Sequence, residues 1–137
     1  MTGDAQQQQV PLFKDSNAFT SFSVKDVQRA KEFYGQTLGI EVSESEEGLQ
    51  LKLGDGHPVF IYPKPNHEPA TYTVLNFEVN DIEKSVNELY EHGISLEHYD
   101  LPGMKTDEDG IFRTHGPKIA WFKDPDGNIL SVFEKKK

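Results

Sequence analysis

The sequence predicts an α+β fold of two βαβββ modules, whose curved mixed sheets pair to form a cleft. Three observations lead there. Short stretches of alternating polarity flank two amphipathic helical stretches. The order of elements in the first half returns in the second. Two local patterns return with it: Phe22-x-Val24-x-Asp26 as Phe77-x-Val79-x-Asp81, and Gly39-Ile40 as Gly93-Ile94. One helix cannot cover both faces of a four-stranded sheet, so two modules must pair, within this chain or with another.

The elements follow in order. Residues 1–17, with the run Gln6 to Gln9, read as a tail. Phe19–Val24 alternates, which sets Phe22 and Val24 toward a helix and Phe19, Ser21 and Ser23 toward the cleft. A helix is expected from about Asp26 to Leu38. Val27, Ala30, Phe33, Tyr34 and Leu38 form its apolar stripe, and Gly39 ends it. Strands are expected near 40–44, 48–53 and 58–62, the last two joined by the hairpin signal Gly54-Asp55-Gly56-His57. The second module opens with Tyr72–Val79. Asn80 and Glu83 form a capping pair for a helix running to about His92. A strand near Leu96–Tyr99, a long loop over 101–116, and strands over 118–123 and 129–134 complete it. The last two flank the turn Asp124-Pro125-Asp126-Gly127-Asn128. The domain is expected to span 18–134, as modules 18–65 and 70–134, with a basic tail at 135–137.

Composition narrows the function classes. The net charge of −9 argues against nucleic acid, which needs an excess of Lys and Arg, and favours a neutral or cationic ligand. The chain has no cysteine, which excludes disulfides, thiolate metal sites and cysteine nucleophiles. No apolar run approaches the length of a membrane span, and the first residues lack the pattern of a signal peptide. No membrane partner and a cytoplasmic location are the resulting expectations.

Two sets of residues then carry a family resemblance. The first is Phe22-Ser23-Val24-Lys25-Asp26-Val27, Ala30-Lys31-Glu32-Phe33-Tyr34 and Leu38-Gly39-Ile40. The second is the closing run Ala120-Trp121-Phe122-Lys123-Asp124-Pro125-Asp126-Gly127-Asn128-Ile129-Leu130. Together with the repeat, they resemble the vicinal oxygen chelate superfamily of glyoxalases, extradiol dioxygenases, and fosfomycin- and bleomycin-resistance proteins. The resemblance implies the glyoxalase-like fold. Metal-dependent members hold one divalent ion by His, Gln and Glu on the first and last strands of each module. The matching positions here are Phe19, Phe60 (Ile61 if the register slips), Val74 and Ser131. None offers the nitrogen or carboxylate donors that a divalent ion needs. The five histidines show no metal-site spacing. The expectation is a member with no metal and no cofactor.

Alternation supplies a cleft lining. It comprises Phe19, Ser21, Phe60 and Tyr62 from module one, and Tyr72, Val74, Asn76, Trp121, Ser131 and Phe133 from module two. Thr73 is assigned to the helix side. Arg113 and His115 share a loop expected to close over the cleft. Such a lining suits a small hydrophobic or cationic molecule held by a few polar contacts, in a homodimer. The alternative is an enzyme of the same superfamily, a lyase, isomerase or dioxygenase type. It would use Glu78 or His115 as an acid–base group, or metal ligands in another register.

Overall fold

The computed structural model describes residues 12–54 and 56–135. The glutamine run, Asp55 of the expected hairpin and the last two lysines lie outside the described residues. Strands β1 (Thr20–Val24), β2 (Glu41–Ser45), β3 (Gly48–Lys52) and β4 (Val59–Pro63) form one sheet in the order β1-β4-β3-β2. Strands β5 (Thr73–Val79), β8 (Ile111–Phe112), β9 (Lys118–Lys123) and β10 (Ile129–Glu134) form the second in the order β5-β10-β9-β8. The two orders match element for element, and each first strand runs parallel to the last strand of its own module. Strands β6 (Asp100–Leu101) and β7 (Met104–Lys105) make a small separate hairpin.

The first helix, α1 (Val27–Lys31), is capped by Asp26, whose carboxylate accepts from the Arg29 amide at 3.1 Å. It continues as a wider π-helical turn, Glu32–Thr37, in which the Leu38 amide reaches back to the Phe33 carbonyl. The second helix, α2 (Ile82–Glu91), is capped by Asp81 rather than Asn80, through the Lys84 amide at 3.2 Å. A carboxylate one residue later suits the cap equally well, and sequence spacing does not separate the two.

Two strand expectations are corrected. Leu96–Tyr99 makes only a single bridge, Leu96 to Phe122. The true counterpart of β2 is β8, inside what reads as a long loop. A two-residue strand has too few positions to display alternation, so the signal was absent.

One apolar core draws on both modules, with Phe22, Val24, Tyr34, Leu49, Leu51 and Ile61 from the first and Ile82, Val86, Phe122, Leu130 and Val132 from the second. The modules are fastened at the β9–β10 turn. Asp124, 5% exposed, accepts from the Tyr34 hydroxyl at 2.7 Å and from the Asn128 side-chain amide at 2.9 Å. It also accepts from the backbone amides of Asp126 and Asn128. Asn128 donates in turn to the Ser23 carbonyl at the end of β1. Asp126 accepts from the amides of Lys25 and Asp26. Burial and the Asp124 carboxylate push the Tyr34 phenol far up, so it is a permanent donor.

Candidate functional site

One face of the second sheet holds four of the expected cleft residues, Asn76, Trp121, Ser131 and Phe133. Register sets Asn76 on β5 opposite Ser131 on β10, and Ser131 opposite Trp121 on β9. The Ser131 side chain is fully buried and its hydroxyl lies 2.5 Å from the Asn76 side-chain oxygen. The Trp121 ring N–H donates to the Thr73 hydroxyl at 3.1 Å. Thr73 therefore lies on this face, contrary to the alternation reading. A register shift between Ile129 and Leu130 against β5 explains it. One extra residue in a strand inverts the faces on either side. The displaced residue is Val74, which packs against the apolar core.

Aromatic rings cover Trp121, which is 9% exposed. Tyr99 meets it edge to face at 5.4 Å, Phe112 approaches at 6.4 Å, and His115 stands edge-on to Phe112 at 5.5 Å. Tyr99 is set at the base of the β6–β7 hairpin by a pair of bonds with Thr106: the Tyr99 amide to the Thr106 hydroxyl, and the Thr106 amide to the Tyr99 carbonyl. Burial, then the Glu97 charge, raises the Tyr99 phenol, so it donates and does not act as a base. Tyr99 and Phe112 were missed because their strand and loop assignments were wrong; the only signal available was an aromatic at each end of the polar stretch.

The remaining candidates are more dispersed. Phe133 is half-buried on the same face, and exposed Glu78 reaches Lys135 at 3.8 Å. Arg113 is engaged by Asp107 at 2.6 Å and Glu83 at 3.6 Å. In module one, Phe19 is 63% exposed and Phe60 half-buried; with Glu47, Gln50 and Pro58 they line a depression of about 420 Å³. Ser21 is exposed, Tyr62 is half-buried and Tyr72 is 69% exposed. The structure thus brings Asn76, Ser131 and Trp121 together, and separately Phe19 with Phe60. Larger depressions, of about 700 and 530 Å³, lie at the start of α1 and between the helices. They touch none of these groups except Glu78.

One arrangement was not expected. The Ser23 hydroxyl donates to His67 Nδ1 at 2.6 Å, and His67 Nε2 donates to the Asp126 carbonyl at 3.2 Å. The nearby amides of Lys25 and Asp26, which could otherwise stabilise an oxyanion, are engaged by Asp126.

Asp107 organises the loop that carries Arg113. Burial alone would raise its carboxyl. The Arg113 bond and the Ile111 and Asp109 amides outweigh that, and the net value is lowered. A depressed carboxylate contributes stability above its unfolded value, and loses it as pH falls through the folded one. The gap in unfolding free energy between the wild type and Asp107→Asn should therefore be open at pH 7 and shrink toward pH 3. A gap independent of pH would contradict this assignment.

Comparison with known proteins places this geometry. The sequence profile of the Glyoxalase/Bleomycin resistance protein/Dioxygenase superfamily matches residues 18–132. The chain belongs to that superfamily. It is 30% identical over 124 residues to the uncharacterized protein YwkD of Bacillus subtilis, covering 80% of this chain and 89% of the relative. A glyoxalase family protein from Enterococcus faecalis superposes with a TM-score of 0.62 at 28% identity, covering 90% of this chain and all of the other. TnmS3, an antibiotic binding protein from a Streptomyces species, shares the fold at TM-score 0.61 and 22% identity, over 88% and 97% of the two chains.

The superfamily's divalent metal can be tested against the residues present. At the four expected ligand positions, Phe19 and Phe60 carry phenyl rings, Val74 sits against the core, and the Ser131 hydroxyl is engaged by Asn76. These side chains do not fit a divalent ion. Among the described residues, no group of three His, Asp or Glu side chains is placed to hold one.

Proposed function

We propose that this superfamily member is a binding protein that holds a small hydrophobic or cationic molecule without metal, in an aromatic cleft closed by a second copy of the chain. One observation carries the reading. At the four positions where metal-dependent relatives place donors, this chain has Phe, Phe, Val and an engaged Ser, the last paired with Trp121 of a cluster of packed aromatic rings. The dimer is supported by exposure: Phe19 and Tyr72 are large aromatic residues more than half exposed. The negative net charge favours neutral and cationic ligands over anions.

Trp121 is the only tryptophan, so its fluorescence reports on this face alone. Chelator-dialysed protein is titrated with neutral and cationic planar aromatics. At least one compound should change the emission saturably. At one hundred times its dissociation constant it should add about 2.7 kcal/mol of stability. Sedimentation should give twice the 15.5 kDa chain mass. No saturable binder, or binding that requires one added divalent ion per chain, would overturn the reading.

A second reading, an enzyme using acid–base chemistry, is favoured by the Ser23–His67 pair, which has the form of an activated hydroxyl. It ranks below binding because the neighbouring amides are engaged.

A further inference from the structure

We infer that Ser131 locks the Asn76 amide so that its N–H₂ group faces the cleft, and that the cleft therefore selects planar aromatic molecules bearing a hydrogen-bond acceptor, such as a ring carbonyl. The inference rests on the binding reading above and names the ligand's polar feature. The Ser131 hydroxyl donates to the Asn76 side-chain oxygen. A hydroxyl needs an acceptor for its proton, which the amide oxygen offers and the amide nitrogen does not. Ser131 is fully buried and its one hydroxyl proton is directed into this bond. The amide cannot turn over without losing it and forcing a nitrogen into the same short contact.

The side-chain nitrogen of Asn76 is then the amide atom left outside that bond, on an exposed residue. Among the described residues no hydrogen bond engages that nitrogen. The neighbouring indole N–H is engaged by Thr73, so the indole does not compete for the same acceptor. Phe133 lies two residues beyond Ser131 on the same face, about 7 Å along the strand, and is half-buried. A two- or three-ring molecule resting on Phe133 places an oxygen at the edge of its ring system within reach of Asn76. A donor on the ligand would meet the amide's own donors and be rejected.

The test is equilibrium dialysis of the full chain against 9-fluorenone and fluorene, which differ by one carbonyl oxygen. In a purely apolar cleft fluorene binds more tightly, because the carbonyl must be desolvated. The inference expects the reverse, with fluorenone at least tenfold tighter. In Asn76→Asp, which removes the donor at constant shape, the ratio of the two constants should collapse to within about twofold of one or invert. Ser131→Ala frees the amide to rotate, and the ratio should fall while fluorenone still binds. If both compounds bind the wild type with equal affinity, or fluorene more tightly, the inference is overturned and the aromatic cleft stands. If neither binds, both fail. The wild-type ratio alone decides the question, so a variant that misfolds leaves it answered.

Discussion

Replacing Asp124 with Ala is expected to lower the unfolding free energy by about 3–5 kcal/mol. This carboxylate is nearly enclosed and accepts four hydrogen bonds, two on each oxygen. Its removal leaves the Tyr34 hydroxyl, the Asn128 side chain and two backbone amides without their acceptor in a site with little access to water. Unpaired buried donors cost about 1–3 kcal/mol each, and partial collapse and entering water offset part of the sum. Asp124→Asn should also destabilise, since an amide N–H₂ must replace an oxygen that two donors approach. Tyr34→Phe removes one of the four and should cost less, about 1–3 kcal/mol. Urea unfolding, read by midpoint and slope, measures all three. A loss under 1 kcal/mol for Asp124→Ala would show that the turn does not bind the modules. The slope carries a second readout: because Asn128 and Asp126 reach β1 and α1, loss of Asp124 should loosen module one from module two and broaden the transition.

The parts of this molecule that repeat were legible in its sequence. Alternation identified Phe22 and Val24 as core, and the three- and four-residue stripe identified Ala30 and Tyr34, because burial of a regular element imposes a regular pattern. Irregular backbone leaves no such mark. The π-helical turn after Lys31, the bulge that reverses Thr73 and Val74, and the two-residue β8 each break the period by one residue or are too short to have one. The reversal of Thr73 and Val74 and the overlooked Phe112 follow from two of these places. Polar partnerships were hidden for a different reason: Ser23 with His67, and Tyr34 with Asp124, join residues far apart in the chain. No local spacing records such pairs.

Gly48→Ala is expected to cost about 3 kcal/mol and to damage the module-one half of the site. Gly48 opens β3 at φ +148°, a conformation that side chains rarely adopt. An added Cβ would also stand 2.1 Å from the Ile61 carbonyl oxygen and 3.1 Å from the Tyr62 Cα, both backbone atoms of β4. No rotamer change relieves a clash with backbone, so β3 and β4 must part or the β2–β3 hairpin must distort. Phe60 and Tyr62 move with β4, so any aromatic ligand contact they make is lost along with stability. Gly54→Ala is the control. Its surroundings are open within 4 Å and its φ is unremarkable for an L residue, so its stability should stay within about 0.5 kcal/mol of the wild type. Equal melting of the two variants would mean that β4 shifts without cost. The face carrying Phe60 would then be soft enough to adapt to its ligand instead of being shaped before the ligand arrives.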